Sequence, residues 1–92
     1  MLGARTMTSE EVFEKLKSLL VEDFRVPSAK VTAEATFRGT LGLDSLDTVD
    51  FIYLVSKTFG IKADVSEFRE LHTVRLVSEF LTKKIAERGA AG

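Results

Sequence analysis

Leu41-Gly42-Leu43-Asp44-Ser45-Leu46-Asp47-Thr48-Val49-Asp50-Phe51-Ile52-Tyr53-Leu54-Val55 is the stretch that decides how the rest of the chain is read. Asp44 precedes a sustained apolar segment, the position from which a short acceptor side chain satisfies the open amide end of a helix. The pattern predicts a helix from Asp44 to about Phe59, stopped by Gly60 in the left-handed conformation. Gly42 lets the backbone turn sharply just before it. This helix has too many apolar residues for one stripe. Phe51, Leu54, Val55 and Phe59 are expected in the core, whereas Leu46, Val49 and Tyr53 fall on another face at steps of three and four. Apolar residues there meet solvent, edged by acids, and such a strip reads as a docking surface.

Working outward, Thr8-Ser9-Glu10-Glu11 has the spacing of a capping box and opens a helix at about Ser9. Val12, Phe13, Leu16, Leu19, Leu20 and Phe24 form its inward stripe, and Pro27 closes the segment. From Pro27 to Leu43 no helical or strand period is sustained. This is expected to be a long loop pinned to the core by Phe37 and Leu41. Downstream, Asp64-Val65-Ser66-Glu67 is a second capping-box spacing and predicts a short helix through Phe68 and Leu71. Thr73 then caps a last helix whose inner face is Val74, Val77, Leu81 and Ile85, with Phe80 beside it. Lys83, Lys84 and Arg88 near its end suit the negative pole of the helix. The expected fold is all-α, a small bundle of three main helices and one short one, with a long loop between the first two main helices.

Ninety-two residues allow one small domain and no second core. The division expected is a disordered extension over 1–7, a domain over 8–88 and a frayed tail over 89–92, with Met1 and Met7 both open as the native start. The first seven residues lack the apolar core of a secretory signal, and the run Phe51 to Val55 is far short of the roughly 20 residues of a membrane span. A cytoplasmic protein without a membrane span is expected. With 13 basic against 14 acidic side chains, the chain has no excess positive charge for a nucleic-acid partner. It has no cysteine and one histidine, His72, which excludes disulfides and leaves too few ligands for an ordinary zinc site; no metal site is expected. Any thiol chemistry here must use a sulfur that the chain itself does not supply.

The chemistry concentrates at Ser45. A hydroxyl in the first turn of a helix lies beside unpaired backbone N–H groups at the positive dipole end, a favourable place for a phosphate ester. Asp-Ser is also among the commonest ways to begin any helix. The surroundings separate the two. A capped first helix, a long loop, Leu-Gly-x-Asp-Ser-Leu opening the second helix, then a short helix and a last one preceded by His72-Thr73-Val74 resemble the acyl carrier protein family over about residues 8 to 86. The match is closest at Gly42-Leu43-Asp44-Ser45-Leu46-Asp47-Thr48-Val49-Asp50. The resemblance implies that Ser45 receives 4′-phosphopantetheine from coenzyme A, whose terminal thiol then carries acyl groups as thioesters. It implies that Asp44 and Leu46 are read by a phosphopantetheinyl transferase. It also implies that Leu46, Asp47, Val49, Asp50 and Tyr53 face acyl-loading and acyl-processing partner enzymes. The carrier itself is not a catalyst and is expected to be a monomer.

Three alternatives stay open at this level. A peptidyl or aryl carrier of nonribosomal synthesis shares fold and arm, although Leu43-Asp44 before Ser45 favours the acyl type. An unmodified helical module would use the Leu46, Val49 and Tyr53 strip for binding alone. A hydrolase would need His72 as base for Ser45, yet the sequence has no Gly-x-Ser-x-Gly elbow. Departures from the resembled family are also visible. Net acidity is confined to residues 44–70, and Ser56 and Lys57 occupy positions that often hold acids. Phe68 stands where a small residue is common beside an acyl-binding cleft, so it either shortens that cleft or replaces core volume lost at Ala63. Both kinds of departure point to a specialised carrier for fatty-acid, polyketide or other lipid synthesis.

Overall fold

The computed structural model describes residues 7–91, with side chains described for 7–87. Four α-helices follow in order: α1 (Ser9–Asp23), α2 (Ser45–Phe59), α3 (Val65–Phe68) and α4 (Val74–Ala91), with a 3₁₀ turn at Ser28–Lys30. The expected all-α architecture of three long helices and one short one is what forms. Among the described residues no strand is present, and the one extended pairing is an isolated antiparallel bridge between Thr36 and Thr73.

The helices begin where side chains can take up orphaned amides. Thr8 accepts from the Glu11 N–H while Glu11 accepts from the Thr8 N–H, a reciprocal capping box. Met7, expected in the disordered extension, instead packs half-buried against the core. It stands at the position before the cap, where an apolar side chain commonly packs onto the first turn of the helix. The rest of that extension, residues 1–6, lies outside the described residues. Val12, Leu16 and Leu20 of α1 and Val74, Val77 and Leu81 of α4 are completely buried, and these two helices form the main packed pair. Fully burying side chains of this size stabilises by roughly 1.5–3 kcal/mol each.

α1 ends earlier, and by a different device, than the sequence suggests. The reversal is made at Arg25, whose φ of 59° is left-handed, and the Val26 N–H returns to the Leu20 carbonyl. Pro27 only follows this stop and leads into the 3₁₀ turn. The inner face of α2 also differs from expectation: Ile52 is buried with Phe51, Val55 and Phe59, while Leu54 is half-buried. At about 100° per residue, those four residues share one side and Leu54 falls beyond its edge. α3 stops at Phe68, and Leu71 is reached through a following turn. At the other end, the α4 backbone continues to Ala91, past the domain end expected at 88; Ala90 and Ala91 are the strongest helix formers.

The long loop is tied down twice. Phe37 is buried against Phe51, whose ring also meets Phe24 edge-on at 5.9 Å, so loop, α1 and α2 share one aromatic junction. Leu41 is buried as expected, and Val26, Val31, Ala35 and Leu43 join it. In addition, the loop backbone bonds to the start of α4: Phe37 N–H to His72, Val74 N–H to Ala35 and Arg75 N–H to Ala33. A segment without periodicity is therefore held by its own main chain, and it delivers Gly42 and Asp44 to a fixed place.

Candidate functional site

The Ser45 hydroxyl sits at the first residue of α2 and is exposed. Asp44 caps the helix as expected: its Oδ1 accepts the Asp47 N–H at 2.9 Å, and its own N–H points to Asp47 Oδ2 at 3.4 Å. The Thr48 hydroxyl donates to the Asp44 carbonyl at 2.9 Å, which closes the first turn. The cap therefore secures the amide of Asp47, and the positive end of the helix still faces solvent beside Ser45. Gly42 has a φ of 72°, and a Cβ built on it meets nothing within 4 Å. Its glycine character serves the backbone turn and not a close approach.

The second face of α2 is as the spacing predicts. Leu46, Val49 and Tyr53 are 76%, 45% and 61% exposed, although all three are apolar or aromatic. Asp50 is exposed beside them. Asp47, expected to meet partners, is half-buried and turned back to the Asp44 amide, so its carboxylate serves the helix end first. At the far end of the strip the Lys57 ammonium lies 5.3 Å from the centre of the Tyr53 ring, a cation–π contact. The face thus runs from acids near Ser45 to a positive charge about three turns on.

Next to this strip lies a cleft whose walls the sequence reading did not assign, beyond placing Phe68 beside one. An open cleft of about 640 Å³ separates α2 from the segment leading into α3. Val49, Ile52 and Tyr53 form one wall, with Ile61, Ala63 and Val65 opposite. Ser56 also lines it, while Lys62, Asp64 and Glu67 supply its charged residues. Val65 is 44% exposed, which places an apolar side chain across from the α2 strip. The capping-box reading of Asp64 to Glu67 accounts for those residues as a helix start, and nothing in their spacing shows the facing wall.

Phe68 is not part of that lining. Its ring is buried and meets Phe80 edge-on at 5.3 Å, so it bonds α3 to α4 and serves the core. Lys84, expected to be a solvated helix end, joins the same junction. It pairs with Glu67 at 3.2 Å and lies over the Phe80 ring. The α3 cap is also well made: Asp64 accepts from the Ser66 hydroxyl and from the Ser66 and Glu67 N–H groups. The Ser66 hydroxyl bond is the main reason that the Asp64 carboxyl titrates below its ordinary value of 3.8, helped by the Glu67 amide and, more weakly, by Lys84. His72 is exposed, and its carbonyl accepts the Phe37 N–H. Among the described residues no cluster of His, Cys, Asp or Glu is placed to hold a metal, and no helix is long and apolar enough to cross a membrane.

The sequence pattern of the family described as "Phosphopantetheine attachment site" matches residues 14–81. An acyl carrier protein of Treponema pallidum is 36% identical over 76 residues, covering 83% of this chain and 97% of that one. The chain belongs to the acyl carrier protein family. The Thermotoga maritima acyl carrier protein is 37% identical over 76 residues, which is 83% of this chain and 94% of its own. That of Thermosynechococcus vestitus is 35% identical over 80 residues, covering 87% and 99%. In fold, the chain is similar to the acyl carrier protein from Enterococcus faecalis, with a TM-score of 0.70 over 85% of this chain and 99% of that one, at 22% identity. Acyl carrier proteins present cargo to other proteins and do not catalyse its chemistry. Their cofactor is phosphopantetheine, which supplies the thiol that this cysteine-free chain lacks.

Proposed function

We propose that Ser45 is the residue that carries 4′-phosphopantetheine, and that the chain shuttles acyl groups as thioesters between separate biosynthetic enzymes. The observation that carries this reading is an exposed serine in the first turn of a helix capped by Asp44, after a sharp turn at Gly42. The Ser45 oxygen takes the phosphorus of coenzyme A, the pyrophosphate bond breaks, adenosine 3′,5′-bisphosphate leaves, and the hydroxyl proton passes to the transferase. Residues 44–70, including α2 and α3, are the acidic part of the chain, with six acids against three bases. Asp44 and Leu46 present the serine to the transferase. Val49, Asp50 and Tyr53 meet the enzymes that load and process the cargo, with Asp47 holding the helix end between them. Apolar anchors edged by charge suit such brief, repeated contacts.

The cleft between α2 and α3 is the place into which an acyl chain would fold for transit. A monomeric, cytoplasmic carrier is the form proposed, its domain running from Met7 through α4. Because Lys57 and Lys62 offset the acids of α2, partners with uniformly basic docking patches gain less long-range attraction here. That balance favours a carrier dedicated to a specialised branch of fatty-acid, polyketide or lipid synthesis.

Intact mass of the purified chain decides the point. Incubation with coenzyme A, magnesium and a broad-specificity phosphopantetheinyl transferase is expected to add one phosphopantetheine to the natural chain and none to Ser45→Ala. No addition to the natural chain under conditions that modify a control carrier would remove the reading and bring forward a binding module that is never modified.

A further inference from the structure

Ser56 is the one described residue whose buried side-chain oxygen has no hydrogen-bond partner, and it is also a residue of the α2–α3 cleft. Hydroxyls on helices ordinarily escape this state by bonding back to the carbonyl four residues earlier. Two others here do so: Thr48 donates to Asp44 at 2.9 Å and Thr82 to Ser78 at 2.7 Å. Ser56 does not. A buried polar group without a partner is costly, and its retention calls for a reason.

Its position supplies one. Eleven residues are three helical turns to within about 20°, so Ser56 lies directly down α2 from Ser45, about 16 Å along the axis. Val49 and Ile52 stand between them on the same face, at four and seven residues from Ser45, and both line the cleft. Cargo anchored at Ser45 and laid along this face passes over two apolar side chains and then reaches Ser56, whose buried oxygen meets it once the side chain turns toward the cleft. The facing wall, Ile61, Ala63 and Val65, offers apolar contact. An all-hydrocarbon chain entering there would leave the Ser56 oxygen as unsatisfied as before. A chain with its own oxygen at that depth would satisfy it.

We propose that Ser56 makes the cleft selective for acyl groups that bear a hydroxyl or oxo oxygen close to the thioester, over saturated chains of the same length. This rests on the carrier reading above and names the class of cargo that the same site prefers. The Ser56 hydroxyl donates to an oxo group, and either donates to or accepts from a hydroxyl. The apolar wall holds the remainder of the chain.

The test loads the natural chain, Ser56→Ala and Ser56→Thr with octanoyl, 3-hydroxyoctanoyl and 3-oxooctanoyl phosphopantetheine, using the corresponding acyl-coenzyme A and a broad-specificity transferase. Intact mass confirms loading, and thermal unfolding is compared with the form bearing phosphopantetheine alone. In the natural chain the two oxygenated cargoes are expected to raise Tm more than octanoyl does, by about 4–8 °C, the shift one added hydrogen bond gives in a domain of this size. Ser56→Ala should lose that excess and keep the octanoyl gain, and Ser56→Thr should retain it. Equal gains for all three cargoes in the natural chain, or no gain for any, would overturn the proposal without reference to the variants. An excess that survives Ser56→Ala would overturn the role of Ser56. Failure of loading at Ser45 is seen in the mass alone, and would remove the carrier reading together with this one.

Discussion

The two faces of α2 are built from similar residues and do opposite things. Phe51, Ile52, Val55 and Phe59 are buried, and Phe51 alone joins the end of α1 to the long loop through Phe24 and Phe37. Leu46, Val49 and Tyr53, hardly less apolar, stand in solvent. Residue type therefore does not distinguish a core position from an interface position on this helix. Phase along the helix does, together with what the rest of the chain brings up to each side. The inner face contributes stability and the outer face is the one proposed to meet other proteins, so substitutions on the two sides should separate folding from function.

The largest effect is expected at the aromatic junction. Phe51→Ala should cost about 3–5 kcal/mol, because both flanking rings lose their packing and the site cannot collapse around the gap. Urea denaturation measures this, and a loss near that of a surface substitution would break the comparison. A smaller effect is expected at the helix end, which both faces share. Asp44→Ala removes the acceptor for the Asp47 N–H and should cost about 1 kcal/mol by the same measurement. It should also slow phosphopantetheine transfer, since the first turn then frays around Ser45.

On the outer face the signs divide. Leu46→Ala should change stability by less than about 0.5 kcal/mol, as expected for a side chain mostly in water. The same variant should lower kcat/KM for the transferase, and unchanged kinetics would show that the exposed strip is not what the transferase reads. The smallest effect belongs to the rim of the cleft. Asp64 has its carboxyl held below 3.8 in the folded chain, so its ionised form favours folding at neutral pH. That contribution is complete above the unfolded value and is lost as pH falls through the depressed one. Asp64→Asn should therefore destabilise slightly at pH 7, and the difference should shrink as pH falls below the ordinary carboxylate value. A gap that persists in acid would assign the effect to capping geometry and not to charge.

Much of the fold was legible because it rests on local rules. Thr8 with Glu11, Asp44 with Asp47, and Asp64 with Glu67 open three helices where short-range spacing places them, and Gly60 ends α2 as a left-handed residue. The end of α1 was less legible because Arg25, a residue with no particular leaning to left-handed backbone, makes the reversal before Pro27 is reached. Leu54, expected in the core, is half-buried and Ile52, assigned to neither face, is buried, because a difference of one or two residues in phase decides burial at the edge of a stripe. Phe68 admitted two readings in one dimension, and its contact with Phe80 decides between them.

For the candidate site, sequence alone placed Ser45 at the head of a capped helix and set Leu46, Val49 and Tyr53 apart from the core. Both follow from helical geometry within a dozen residues, which any chain with these side chains must obey. Tertiary structure decided the rest: the loop held by Ala33, Ala35 and Phe37 against the start of α4, the Lys84 and Glu67 pair that ties α3 to α4, and the cleft with Ser56 in its wall. These features join residues far apart in the chain. Whether a backbone amide, a charge or a hydroxyl finds a partner depends on which distant segment arrives beside it, and no local pattern carries that information.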